Sequence, residues 1–135
     1  MRMEGNRYTF TKSERLCSKI MIERLFAGGN KSFPAYPLRA VYMCLPPAEW
    51  TTDVSILISV PKKRFKRAVK RNLIKRQIRE AYRRNKYILI DALKSREDGK
   101  RLVLAFIWLD NQIHSSEEVE HKVKKLLVHI VESVQ

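Results

Sequence analysis

The chain has 135 residues, 44% of them apolar, and carries 28 Lys and Arg against 14 Asp and Glu, a formal charge of +14. That length fits one domain, spanning 1–135 with residues 1–12 free to be flexible, and a domain of this size buries roughly two-thirds of its unfolded surface. Four Gly and five Pro in such a mixture exclude a disordered basic tail. No run approaches the roughly 18 to 20 apolar residues of a bilayer span, and the polar start MRMEGNRYTF lacks the apolar stretch of a signal peptide. A cytoplasmic location follows as the expectation, with Cys17 and Cys44 reduced and serving as apolar filler.

Taken in order, Ser18 to Gly28 reads as a short helix capped by Ser18, with Ile22, Leu25 and Phe26 on one face and Gly28-Gly29 as its stop. Residues 37–45 (PLRAVYMCL) and 53–60 (DVSILISV) read as neighbouring strands joined through Pro46 to Trp50. In the second, Val54, Ile56, Ile58 and Val60 share one face. Pro61 closes it, and a turn with Lys62, Lys63 and Arg64 leads to a helix from Ala68 to Asn85. After a charged loop from Lys94 to Lys100, RLVLAFIWL (101–109) has the unbroken apolarity of an interior strand. Ser115 and Glu118 form a capping box, after which Val119, Val123, Leu126, Leu127, Ile130 and Val134 recur at helical spacing. The predicted class is α+β, a small two-layer sandwich of order α-β-β-α-β-α with room for one further short strand and with helices packed on one mixed sheet.

Residues 62–86 hold 13 of the 28 cations against one acid, Glu80. Such a density costs stability through self-repulsion, which bound phosphates relieve while releasing counterions. At about 100° per residue, Ile74, Ile78, Ala81 and Tyr82 gather on one side of the helix and Asn72, Lys75, Arg76, Arg79 and Arg83 on the other, with Arg71 nearer the apolar edge. A solvated helix face usually mixes signs; here ten Lys and Arg between 66 and 86 face one Glu, so pairing of Glu80 with Arg76, Arg83 or Arg84 leaves most cations uncompensated. Arginine's planar fork suits phosphate and stacks on bases. A strand and a Lys-rich turn precede the helix, where a helix-turn-helix needs another helix, so RNA is favoured over duplex DNA.

Protein-based catalysis has no support in the spacing. His114, His121 and His129 read as surface residues without zinc-ligand spacing. Asp91, Glu97, Asp98 and Asp110 are scattered, whereas a two-metal nuclease needs converging carboxylates.

The run from Ser59 to Arg83, SVPKKRFKRAVKRNLIKRQIREAYR, resembles the protein subunit of bacterial ribonuclease P, marked by an Arg-Asn-Arg-x-x-Lys-Arg-like helix after a strand ending in Ser-Val-x-Lys-Lys. The likeness extends to Glu14–Leu16, the LFAGG helix end, the Tyr42 strand and the last helix, covering most of residues 8–134. It implies an accessory subunit of an endoribonuclease with no catalytic residue, metal or cofactor of its own. In that family an RNA subunit requiring Mg2+ removes the 5′ leader of precursor tRNA. The resemblance further implies partners, the catalytic RNA and the precursor tRNA, and a left-handed βαβ crossover. It assigns RNA contact to Lys62, Lys63, Arg64, Lys66, Arg67, Arg71, Asn72, Lys75, Arg76, Arg79 and Arg83, and the aromatic positions of a leader-holding cleft to Phe26 and Tyr42. Two positions depart from the family pattern: Leu73 stands where the motif has its second Arg, and Ile22 where a cleft aromatic is usual. The alternative function is a generic structural RNA-binding protein associated with ribosomal RNA, which predicts no preference for a leader.

Overall fold

A computed structural model of the chain describes residues 14–16, 18–28, 30–49, 53–96 and 99–134. The expectations for residues 1–12, Cys17, Gly29, Trp50, Glu97 and Asp98 fall outside them. The elements are α1 (Lys19–Phe26), β1 (Lys31–Ala35), β2 (Leu38–Leu45), β3 (Val54–Ser59), α2 (Ala68–Asn85), α3 (Tyr87–Lys94), β4 (Arg101–Trp108) and α4 (Ser116–Val134). The class is α+β as expected, with one mixed four-stranded sheet in the order β1-β2-β4-β3.

That order corrects the expectation that residues 37–45 and 53–60 are neighbours, because β4 lies between them. The cause is the apolarity of β4, whose residues Leu102 to Phe106 are all fully buried. A strand that is apolar on both faces hides only where it has partners on both edges and layers on both sides. It pairs antiparallel with β2, Leu38 opposite Trp108 and Leu45 opposite Arg101. It pairs parallel with β3, Val54 opposite Leu102 and Ser59 opposite Ile107. The parallel pair requires a crossover, and α2 with α3 supplies it.

Two elements enlarge the predicted order. β1 is the further short strand, and Pro34 fits it because among the described residues β1 is an edge strand, paired with β2. The peptide between Tyr36 and Pro37 that follows is cis. Helix α3 had no signal of its own, since Ile88 and Ile90 lower helix propensity. Burial of Leu89 and Leu93, one turn apart, outweighs that deficit. Lys86 keeps helical angles between α2 and α3, and its carbonyl accepts from Leu89 N at 3.1 Å and Ile90 N at 3.0 Å.

The sheet carries a core on each face. On one side Leu38, Ala40, Tyr42, Val54, Ile56, Leu102, Leu104, Phe106 and Trp108 meet the apolar stripes of α2, α3 and α4. On the other, Leu45, Val103 and Ala105 meet Leu16 and, from α1, Met21 and Leu25. The expected two layers therefore gain α1 as a partial third. Ser18 caps α1 by accepting from Met21 N at 3.3 Å, and Asn30 Nδ2 donates to the carbonyls of Arg24 (2.9 Å) and Leu25 (2.8 Å) at its other end. Gly28 there has φ of 101°, an angle that side chains resist. Cys44, expected as filler, is exposed on β2, two residues beyond buried Tyr42 on the same face of the sheet.

Candidate nucleic-acid interface

Helix α2 is two-faced in the way its sequence dictates. Ile74, Ile78, Ala81 and Tyr82 are its buried residues, while Lys66, Arg67, Lys70, Asn72, Arg76 and Arg79 are exposed and Lys75 is half-buried. Arg67 stands at the N-cap in an extended conformation without a side-chain cap, and no acid occupies the first turn. The start of the helix therefore adds its own positive end to the surrounding cations.

The turn before α2 is fixed from both sides. Buried Phe65 anchors it, and Arg64 N donates to Pro61 O at 3.0 Å. Arg71 Nη1 donates to the carbonyls of Phe65 and Lys66, each at 2.8 Å. The residue that sequence placed near the apolar edge thus braces the turn that presents Lys66 and Arg67. Arg64 Nη1 reaches Asn111 Oδ1 at 3.4 Å, and Lys62 and Lys63 are exposed beside it.

Grooves run along both flanks of α2. Lys75 and Arg79 lean toward the edge of β3 and form, with Arg15, Leu16, Ile56, Leu57 and Ile58, a cavity of about 240 Å3. Arg15 lies outside the predicted contacts, though within the Glu14–Leu16 segment that carries the family likeness; its one-residue parallel bridge to Ile56 brings it to the groove. On the other flank Leu73, Arg76 and Gln77 face Ser116 and Glu120 of α4 across about 260 Å3.

Further along, the cations are paired. Arg83 donates to both carboxylate oxygens of Glu80, at 2.8 Å from Nη2 and 3.2 Å from Nε. This selects one of the three partners proposed for Glu80 and holds its carboxyl below the ordinary range. Arg84 meets Glu120 at 3.3 Å, and buried Lys86 meets Glu14 at 2.8 Å. Among the described residues, Lys62, Lys63, Lys66, Arg67, Lys70, Lys75, Arg76 and Arg79 form no ion pair. No group of three His, Cys, Asp or Glu side chains suited to a metal occurs among the described residues.

A family model for ribonuclease P matches residues 10–131. The chain belongs to the ribonuclease P protein family. It is 41% identical over 127 residues to the ribonuclease P protein component of Porphyromonas gingivalis strain W83, covering 94% of this chain and 90% of that one. It is 38% identical over 120 residues to the ribonuclease P protein component of Chlorobaculum tepidum, with 81% and 77% covered. The solved ribonuclease P protein from Thermotoga maritima is similar in fold, with a TM-score of 0.65 at 22% identity, over 86% of this chain and 96% of that chain.

Within this ribonuclease P protein, Leu73, which stands where the family motif has its second Arg, is 39% exposed on the outward side of α2. Ile22 is half-buried against the α1 core. The two aromatic positions of the expected cleft are not brought together. Phe26 is 45% exposed on α1, whereas Tyr42 is 2% exposed and points to the opposite face of the sheet, where its hydroxyl meets Ser133 Oγ at 2.5 Å. Alternation along β2 separates them: Val41, Met43 and Leu45 take the α1 side and Tyr42 the α4 side.

His114, expected as a surface residue, is bridged instead. Nε2 lies 2.7 Å from Asp110 Oδ2 and Nδ1 lies 2.8 Å from Glu118 Oε2. Carboxylates at both nitrogens favour the imidazolium and raise the His114 pKa, with Asp110 the larger cause. Half of the predicted capping box is present, since Ser115 Oγ accepts from Glu118 N at 3.1 Å, but the Glu118 carboxylate also serves His114.

Proposed function

We propose that this chain is the protein subunit of a ribonuclease P ribonucleoprotein, an accessory subunit of an endoribonuclease that binds a catalytic RNA and assists removal of the 5′ leader from precursor tRNA. The observation that carries the reading is the division of α2 into a face buried on the sheet and a face on which Lys75, Arg76 and Arg79 have no carboxylate partner among the described residues, in a chain of this family. A rigid helix holding phosphate-binding side chains in register loses little entropy on binding.

In this reading, Lys62, Lys63, Lys66, Arg67, Asn72, Arg76 and Arg79 offset repulsion between two RNA molecules as they approach. The groove of Arg15, Lys75 and Arg79 over Ile56 to Ile58 takes the unpaired leader, its cations meeting phosphate and its apolar floor meeting bases. Phe26 offers an open ring for stacking, and Tyr42 supports the sheet from within. Magnesium is bound by the RNA, and cleavage is the RNA's chemistry.

The test is reconstitution. The protein, mixed with a ribonuclease P RNA transcript at limiting magnesium, restores leader cleavage of precursor tRNA, and Phe26→Ala weakens precursor binding more than mature tRNA binding. Absence of any stimulation would leave a general RNA-binding protein in its place.

A further inference from the structure

Tyr36, in the turn between β1 and β2, is 58% exposed. Its hydroxyl is within electrostatic reach of the Asp110 carboxylate, which is itself held by His114 Nε2 at 2.7 Å and by Asn111 N at 2.7 Å. His114 is anchored in turn by Glu118 of α4, and its carbonyl accepts from Gln77 Nε2 of α2 at 2.9 Å. The backbone is pinned as well, since Leu109 N donates to Pro37 O at 2.8 Å.

This exposed ring lies at the end of the sheet from which the basic turn departs. Leu38 at the start of β2 is opposite Trp108, and Ser59 at the end of β3 is opposite Ile107. One strand, β4, separates the two. Arg64 crosses that gap to Asn111. Asp110 is paired with His114, and Arg64 stands within electrostatic reach of the Tyr36 hydroxyl.

An exposed aromatic face at the same end of a sheet as a row of cations is an arrangement that takes single-stranded nucleic acid, with phosphate on the cations and a base on the ring. We propose that Tyr36 is a stacking platform for an unpaired base of the bound RNA, extending the track of Lys62, Lys63 and Arg64 across the end of the sheet. The proposal rests on the RNA-binding reading above. A purely structural tyrosine acts through its hydroxyl toward Asp110, whereas a platform acts through its ring, and the two roles separate by substitution.

The experiment measures binding of a fluorescent, unstructured RNA to the wild type, Tyr36→Ala, Tyr36→Phe and Arg76→Ala across a range of salt. Tyr36→Ala raises Kd roughly 5- to 100-fold, the range of a lost base–aromatic stack, with an unchanged salt slope because no charge is removed. Tyr36→Phe keeps the ring and stays within about threefold. Equal weakening by Ala and Phe overturns the proposal in favour of a role of the hydroxyl, and an Ala variant indistinguishable from wild type overturns it as well. Photocrosslinking of 4-thiouridine RNA to the unaltered protein, with the adduct mapped to Tyr36, supplies a readout independent of how any variant folds; adducts confined to other peptides overturn the proposal. If Arg76→Ala weakens binding while Tyr36→Ala does not, only the platform fails. If neither does, the RNA-binding reading of α2 fails with it.

Discussion

The cations of residues 62–79 and the four at Arg83, Arg84, Lys86 and Arg101 are the same chemistry put to opposite uses. In the later stretch Arg83, Arg84, Lys86 and Arg101 meet Glu80, Glu120, Glu14 and Asp53 respectively. In the earlier one Lys62, Lys63, Lys66, Arg67, Lys70, Lys75, Arg76 and Arg79 have no ion pair among the described residues, and Arg71 turns back onto backbone carbonyls. Sign and density alone do not distinguish these sets. What distinguishes them is where acids fall in the folded chain: Glu80 and Glu120 lie at the far end of α2, and Glu14 and Asp53 come from segments beside α3 and β4. One set neutralises itself and joins elements, and the other is left for an anion from outside.

The comparison breaks most visibly at Lys86. Its ammonium and the Glu14 carboxylate are both largely buried, so Lys86→Ala strands a buried charge and lowers stability by about 3–5 kcal/mol. Chemical denaturation measures this, and a loss too small to shift the midpoint would show that water compensates Glu14. Arg76→Glu with Arg79→Glu has the opposite profile: RNA affinity falls on the order of 100-fold through lost phosphate contacts, while the thermal midpoint stays within about 2 °C because exposed charges contribute little. A comparable loss of stability would mean these arginines belong with the paired set.

Arg71 lies between the two classes. As a brace of the Phe65–Lys66 turn it acts through Lys66, so Arg71→Ala weakens RNA binding roughly 10-fold, and in a double-mutant cycle the effect largely vanishes on a Lys66→Ala background. Additive losses would make Arg71 a direct contact. The smallest effect is at His114. Its raised folded pKa means that its contribution to stability is present below the unfolded value of 6.5 and is lost as pH rises through the folded value. Asp110, with a lowered pKa, contributes above its ordinary value and loses that contribution as pH falls through the lowered one. His114→Gln therefore flattens the pH dependence of the melting midpoint above pH 6.5, and an unaltered profile would contradict the bridge.

Much of this was legible in the chain itself. The boundaries of α2, its buried Ile74, Ile78, Ala81 and Tyr82, and the whole apolar stripe of α4 follow from helical periodicity, which burial enforces residue by residue. Strand β4 was readable as interior from its unbroken apolarity. Its position between β2 and β3 was not, because pairing partners are chosen by long-range packing and two strands adjacent in sequence need not be adjacent in the sheet. Helix α3 was hidden by Ile88 and Ile90, whose propensity argues against the helix that Leu89 and Leu93 require. At the site, the cationic stripe was visible, whereas the bracing role of Arg71 depends on carbonyl positions that spacing does not encode. The separation of Phe26 from Tyr42 has the same origin, since each is plausible alone and only the sheet decides which face each occupies.

The most direct test of the division is the salt dependence of binding to a ribonuclease P RNA transcript, measured for Arg76→Ala, Arg79→Ala and Arg84→Ala against the wild type. Each phosphate contact contributes about 0.7 to 0.9 to the slope of log K against log salt. The slope shrinks by about that amount for Arg76→Ala and for Arg79→Ala and is unchanged for Arg84→Ala, whose partner is Glu120. Equal changes at all three arginines would show that paired and unpaired cations meet the RNA alike, and would contradict the account.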